Sequence, residues 1–145
     1  MEKNLILITG SVMNSNSESI NIYNDLLSLI NADGYIVSSP LDTMKFQGTN
    51  EERYKRALDM LSKTKIMIAE VSSVSTGQGI EIGHAATLNI PIMVIAKEGS
   101  KVSGLIKGCP VVKRIVYYNN IIDLKDELES FIKEELYEKH SINRS

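Results

Sequence analysis

The sequence has little of what marks the specialised protein classes. Its 145 residues include one cysteine, Cys109, no tryptophan and three prolines. A single thiol allows no intrachain disulfide and no zinc site built from cysteines. Cys109 sits between Gly108 and Pro110 with no histidine near it in sequence, so it reads as a packed residue rather than a nucleophile. An excess of one charge is also missing. Sixteen Lys and Arg against 18 Asp and Glu give a formal net charge of -2, which leaves no basic field for a polynucleotide backbone. No apolar run approaches the ~20 residues a membrane helix needs. The chain opens directly on a strand pattern with nothing like a signal peptide ahead of it, so a cytosolic protein is expected. There is no internal repeat and no low-complexity tract.

What is present is the composition of an ordinary globular protein, 43% hydrophobic and 23% charged. A chain of this length forms one domain that buries about two-thirds of its unfolded surface. Residues 1–138 are expected to make that domain and residues 139–145 a frayed tail.

Apolar runs of strand length alternate with segments of helical spacing. Leu5, Ile6, Leu7 and Ile8 form a run that breaks at Gly10-Ser11, which suits a central parallel strand covered on both faces. Past a polar loop, Ile20, Tyr23, Leu26, Leu27 and Ile30 recur at helical spacing until Asp33-Gly34 stops them. Residues 35–38 read as a second strand and residues 39–49 as a variable loop over the site. Asn50 is expected to cap a charged amphipathic helix over residues 50–63, with Tyr54, Ala57, Leu58 and Leu61 on its apolar side. A third strand takes in residues 66–69. A fourth covers residues 90–95, after Asn89 ends a helix, and a fifth residues 114–118. Residues 97–107 read as a loop, and residues 121–136 as a closing helix with Leu124, Leu128, Phe131 and Ile132 inward. The alternation predicts an α/β fold: a three-layer Rossmann-like or flavodoxin-like sandwich on a five-stranded, mainly parallel sheet in the order 2-1-3-4-5.

The stretch that carries chemistry follows the third strand: Ser75-Thr76-Gly77-Gln78-Gly79-Ile80-Glu81. In a parallel sheet this junction lies at the carboxyl end of a strand, where helix N-termini point free N–H groups at ligands. Gly77 and Gly79 let backbone approach a ligand, and Ser75 and Thr76 add hydroxyls. Glu81 has two readings here. It is either a first-turn acid held by the helix dipole, worth about 0.3–1 kcal/mol, or a carboxylate at the rim of a pocket. His84, three residues on, could share its face and reads as a packing residue.

The pattern Ser-x-Gly-x-Gly-x-Glu-x-Gly-x-Ala, from Ser75 to Ala85 after Ala69-Glu70-Val71, resembles the signature of the nucleoside 2-deoxyribosyltransferase superfamily. It is most similar to the 2′-deoxynucleoside 5′-monophosphate N-glycosidase branch, and the resemblance extends over about residues 4–132. It implies that Glu81 is the nucleophile that attacks the anomeric carbon, where a carboxylate stabilises an oxocarbenium-like state and then bonds to it. It implies a substrate loop of Gly10, Ser11, Val12, Met13 and Asn14, facing Ser75, Gly77 and Gly79. It further implies a homodimer in which Ser103 reaches the neighbouring subunit's pocket, and no metal or organic cofactor. Three positions depart from the pattern. Met13 replaces an arginine, Leu7 a tyrosine that touches the nucleophile, and Ala57 an aspartate that serves the leaving base. The nearest acid to Ala57 is Asp59, the candidate second catalytic group, although two helical positions turn it away by about 200°.

The resemblance therefore implies hydrolysis of the N-glycosidic bond of a deoxynucleoside 5′-monophosphate to free base and deoxyribose 5-phosphate. Base exchange by a 2-deoxyribosyltransferase is the alternative reaction, and a nucleotide-binding module with little turnover is the alternative of another class. Ser75 stands where nucleoside-specific transferases have an aspartate, so a 5′-phosphate is expected on the substrate.

Overall fold

Five strands form one sheet: β1 (Leu5–Thr9), β2 (Ile36–Ser38), β3 (Thr64–Glu70), β4 (Ile92–Lys97) and β5 (Val112–Tyr118). The computed structural model describes residues 2–11 and 17–138. The strand order is β2-β1-β3-β4-β5 and every neighbouring pair is parallel, as the alternation of strands and helices predicted.

Because side chains alternate across a strand, the apolar runs divide into two cores. Ile6, Ile8, Ile66, Ile68, Met93 and Ile95 face one side, covered by Tyr23 and Leu26 of α1 (Ser17–Leu29) and by the closing helix through Leu128, Phe131 and Ile132. Leu7, Met67, Ala69 and Val94 face the other. Leu61 of a helix over Asn50–Ser62 and Ile82 and Ala85 of a helix over Thr76–Thr87 cover them there. Each large side chain buried this way contributes about 1.5–3 kcal/mol, which is why β1, β3 and β4 carry nearly unbroken apolar sequence.

Local differences from the sequence reading lie in the connections. Residues 39–49 are not simply a loop: α2 (Pro40–Lys45) forms there. Ser39 caps it by accepting from Leu41 N, and Asp42 accepts in return from Ser39 N. The helix over Asn50–Ser62, α3, is capped by Thr49 rather than Asn50. Both residue types cap well, but only Thr49 has a glutamate three positions on: Glu52 N donates to Thr49 Oγ1 at 3.1 Å and Thr49 N donates to Glu52 Oε1 at 3.0 Å. The helix over Thr76–Thr87 is α4; Asn89 follows it at φ 56°, the left-handed stop expected of an asparagine. A short α5 (Gly104–Lys107) lies within residues 97–107. The closing segment opens with a 3₁₀ turn at Ile121–Leu124, continues as α6 (Lys125–Ile132) and widens into a π turn at Lys133–Glu138. Among the described residues no helix is long and apolar enough to cross a membrane.

One glycine is dictated by packing. A Cβ built on Gly10 would meet the Tyr23 ring at 2.9 Å, and Tyr23 is 4% exposed and fixed by the bond its Oη donates to the Ser11 carbonyl at 2.8 Å. Gly10→Ala is therefore expected to destabilise the protein by about 1–3 kcal/mol, the usual cost of forcing extra volume into a packed site. Urea unfolding of the two proteins measures it, and an unchanged midpoint would contradict this account of Gly10.

Candidate active site

Two strand ends frame the site. β1 and β3 are neighbours in register, Thr9 beside Ala69, and the helices that follow them leave to opposite faces of the sheet. That divergence opens a crevice at the carboxyl edge, the place where open α/β sheets bind ligands. Ser11 stands on the β1 side of it and Ser75 on the β3 side. Val12, Met13 and Asn14 lie outside the described residues.

Ser75 is the N-cap of α4, its hydroxyl accepting from Gln78 N at 3.3 Å. Gly77 and Gly79 fall inside the first helical turn, with nothing among the described residues within 4 Å of a Cβ built on either. Neither has a positive φ. Neither packing nor backbone conformation thus requires glycine there, and the bare backbone faces open space at the crevice.

Glu81 is the sixth residue of α4, which begins at Thr76, so it sits in the second turn rather than the first. The dipole effect fades within the first turn and would lower a carboxyl pKa. Here burial pushes the Glu81 carboxyl up to about 7, and the Arg56 guanidinium only partly opposes that rise. The dipole-stabilised reading therefore gives way to a half-desolvated carboxylate poised near neutrality.

Arg56 belongs to α3, which packs against α4. Its Nη1 donates to Thr43 Oγ1 at 3.2 Å, and its guanidinium lies 5.3 Å from the Phe46 ring centroid. Held there, it makes no ion pair with Glu81 among the described residues. Arg56→Met removes the one cation opposing burial of Glu81, so the Glu81 pKa is expected to rise above its present value near 7. A direct readout is ¹³C NMR titration of the labelled carboxyl; an unmoved or lower pKa would contradict the assignment.

Behind the crevice lies a buried network that the sequence reading missed. Glu70, 7% exposed, ends β3 and accepts from Ser72 N at 2.8 Å through Oε1. Its Oε2 accepts from Ser72 Oγ at 2.7 Å and from the Tyr118 hydroxyl. Gln78 Nε2 donates to the Glu70 carbonyl at 2.9 Å, tying the first turn of α4 to the strand end. Burial and the neighbouring Glu70 push Tyr23 up to about 12 and raise Tyr118 still further, so both phenols stay protonated donors. An acid closing an otherwise apolar strand was a visible signal, but its partner Tyr118 is 48 residues away and no local pattern connects them.

The remaining candidates are dispersed. Asp59 is 61% exposed and paired with Lys63 at 3.0 Å, on the solvent side of α3. Leu7, 6% exposed, is part of the core under α3 and α4. Ser103 caps α5, accepting from Leu105 N at 3.3 Å, and is exposed. Among the described residues no cluster of three His, Cys, Asp or Glu could hold a metal ion. A groove of about 320 Å³ lined by Leu29, Asn31, Glu129, Ile132, Lys133 and Tyr137 opens beside the end of α1, at the opposite edge of the sheet from Glu81.

A five-stranded parallel sheet with helices on both faces is the architecture of the deoxyribosyltransferase fold. The CMP N-glycosidase of Clostridium botulinum shares it with a TM-score of 0.68 at 21% identity, over 88% of this chain and 98% of that one. So does the 2-deoxyribosyltransferase of Bacillus psychrosaccharolyticus, with a TM-score of 0.65 at 18% identity, over 84% and 90% of the two chains. Two curated sequences carry the provisional name 2′-deoxynucleoside 5′-phosphate N-hydrolase 1. That of Methanosarcina mazei is 28% identical over 137 residues, 90% of this chain and 85% of its own length. That of Syntrophotalea carbinolica is 28% identical over 142 residues, 93% and 96% of the two chains. A third, from Methanosarcina barkeri, is 33% identical over 76 residues, and the chain spans about half of its length, 48%. No family model matches the chain. The chain is thus similar in sequence to the curated N-hydrolases and shares the fold of the 2-deoxyribosyltransferase and the CMP N-glycosidase.

Proposed function

We propose that the protein hydrolyses the N-glycosidic bond of 2′-deoxynucleoside 5′-monophosphates, releasing free base and 2-deoxyribose 5-phosphate, with Glu81 as covalent nucleophile. The observation that carries this reading is Glu81 itself, a carboxylate raised to about 7 by burial at the carboxyl edge of the sheet, where its weak solvation leaves it reactive once ionised. In the first step a Glu81 oxygen bonds to C1′ as the C1′–N bond breaks, its electron pair leaving with the base, which takes a proton from water. In the second step water attacks C1′, freeing the sugar phosphate, returning the carboxylate and releasing a proton. Gly77 and Gly79 leave room for the sugar, and the Ser75 and Ser11 hydroxyls with the free N–H groups of α4 receive the phosphate.

The second half of the phosphate pocket is proposed to come from a partner subunit through its exposed Ser103. Leu105, 89% exposed two residues later, and Val74, 98% exposed beside Ser75, are apolar surface that such a dimer would cover.

The transferase neighbour of the same fold supports a second reading, in which another base replaces water. Assaying a deoxynucleoside monophosphate with and without an acceptor base separates the two. Base and deoxyribose 5-phosphate released in equal amounts without acceptor support the hydrolase, and release that requires acceptor supports the transferase. Tight binding with no release in either case would leave only a nucleotide-binding module.

A further inference from the structure

We infer that Lys97 makes the cationic contact to the substrate's 5′-phosphate, leaving Glu18 for it when the nucleotide binds. This rests on the deoxynucleotide reading above and names a residue that the sequence pattern does not contain. Lys97 ends β4, and its backbone N donates to Ser72 Oγ at 2.7 Å just beyond the end of β3. Its Nζ pairs with Glu18 in the first turn of α1. β3 separates β4 from β1, and α1 follows β1, so the lysine side chain crosses the end of β3 to reach the start of α1. That course passes the carboxyl ends of β3 and β1, the sheet edge at which Thr9 and Ser11 lie.

Two further observations point to a ligand at this edge. Among the described residues Thr9 Oγ1 and Ser11 Oγ are buried atoms with no hydrogen-bond partner, and Thr9 is 3% exposed. Such groups are costly to leave unpaired, and oxygen acceptors on a ligand would pair them. Hydroxyl donors and a lysine at one strand edge are the chemistry of an anion site. The groups around Lys97 fit an exchange. Glu18 faces it from α1, and the Glu70 carboxylate below is occupied by Ser72 and Tyr118. The Lys97 and Glu18 side chains are 40% and 66% exposed, so their ion pair is weak and readily given up to a phosphate dianion.

The probe is 2-deoxyribose 5-phosphate, common to every base, with 2-deoxyribose as control, both measured by titration calorimetry. Lys97→Met is expected to weaken binding of the phosphate about tenfold or more, the usual effect of losing a charged hydrogen bond, while Lys97→Arg retains most of it. Glu18→Gln is expected to tighten it, because the competing carboxylate is gone. If Lys97 and Glu18 only latch α1 to the sheet, Lys97→Met and Glu18→Gln would both weaken binding, and that result overturns the inference, as does unchanged binding by Lys97→Met. A wild type that does not distinguish the phosphate from the free sugar would instead overturn the deoxynucleotide reading, and the lysine's role with it.

Discussion

Glu81→Gln is expected to lose base release by several orders of magnitude and, at pH 8, to be more stable than the wild type. The first effect follows from the proposed covalent catalysis: glutamine fills the same space but cannot bond to C1′, and Asp59, the other candidate acid, is paired with Lys63 on the exposed side of α3. The second follows from burial. Glu81 titrates near 7 in the folded protein against an ordinary value of 4.5, so the folded state binds its proton more tightly. Between those two values the folded state holds more protons than the unfolded one, and stability therefore falls as pH rises through that window. The penalty is complete above pH 7 and absent below the unfolded value. A shift of this size corresponds to roughly 3–4 kcal/mol, the stabilisation expected of the neutral variant at pH 8 and not at pH 4. Urea unfolding at the two pH values measures it. Equal stabilities at pH 8 would mean that Glu81 is not desolvated, and full turnover by the variant would remove it from the chemistry.

Ser75→Asp is expected to abolish a preference for nucleotides over nucleosides while leaving the fold intact. Aspartate caps helices as well as serine does, so α4 should keep its start. What changes is charge. A carboxylate a few ångströms from a phosphate dianion is repelled by on the order of 1–4 kcal/mol in the range between bulk water and a protein surface. The deciding quantity is kcat/KM for a deoxynucleoside monophosphate divided by that for its nucleoside. In the wild type the ratio is expected to exceed about tenfold, on the strength of the α4 N–H groups and neighbouring donors. In the variant it should fall toward one or below. A wild-type ratio near one would favour the nucleoside transferase reading, and a ratio unchanged in the variant would put the phosphate elsewhere.

The parts of this molecule that depend on local chemistry were legible in the sequence. β1 and β4 show as apolar runs because both faces of a central parallel strand are covered. Glu81 lies a turn further into the helix than the sequence reading gave it, because Ser75 starts the helix ahead of the two glycines. α2 was missed because its capping box, rather than apolar periodicity, defines it. Arg56, Glu70 with Tyr118, and Lys97 with Glu18 act across pairs that are far apart in sequence, 48 residues in one case and 79 in another, so no window along the chain contains them. The environment of Glu81, and with it the choice between a dipole-held acid and a poised nucleophile, is a property of packing between α3 and α4.

The most direct measurement is the pH dependence of kcat/KM for base release from a deoxynucleoside monophosphate with no acceptor base present. As the proposed nucleophile Glu81 must be ionised to attack, so activity is expected to rise with pH and to level off above a break near 7, the value to which burial pushes it. A break at the ordinary carboxyl value of 4.5, or no base release at any pH, would contradict the account.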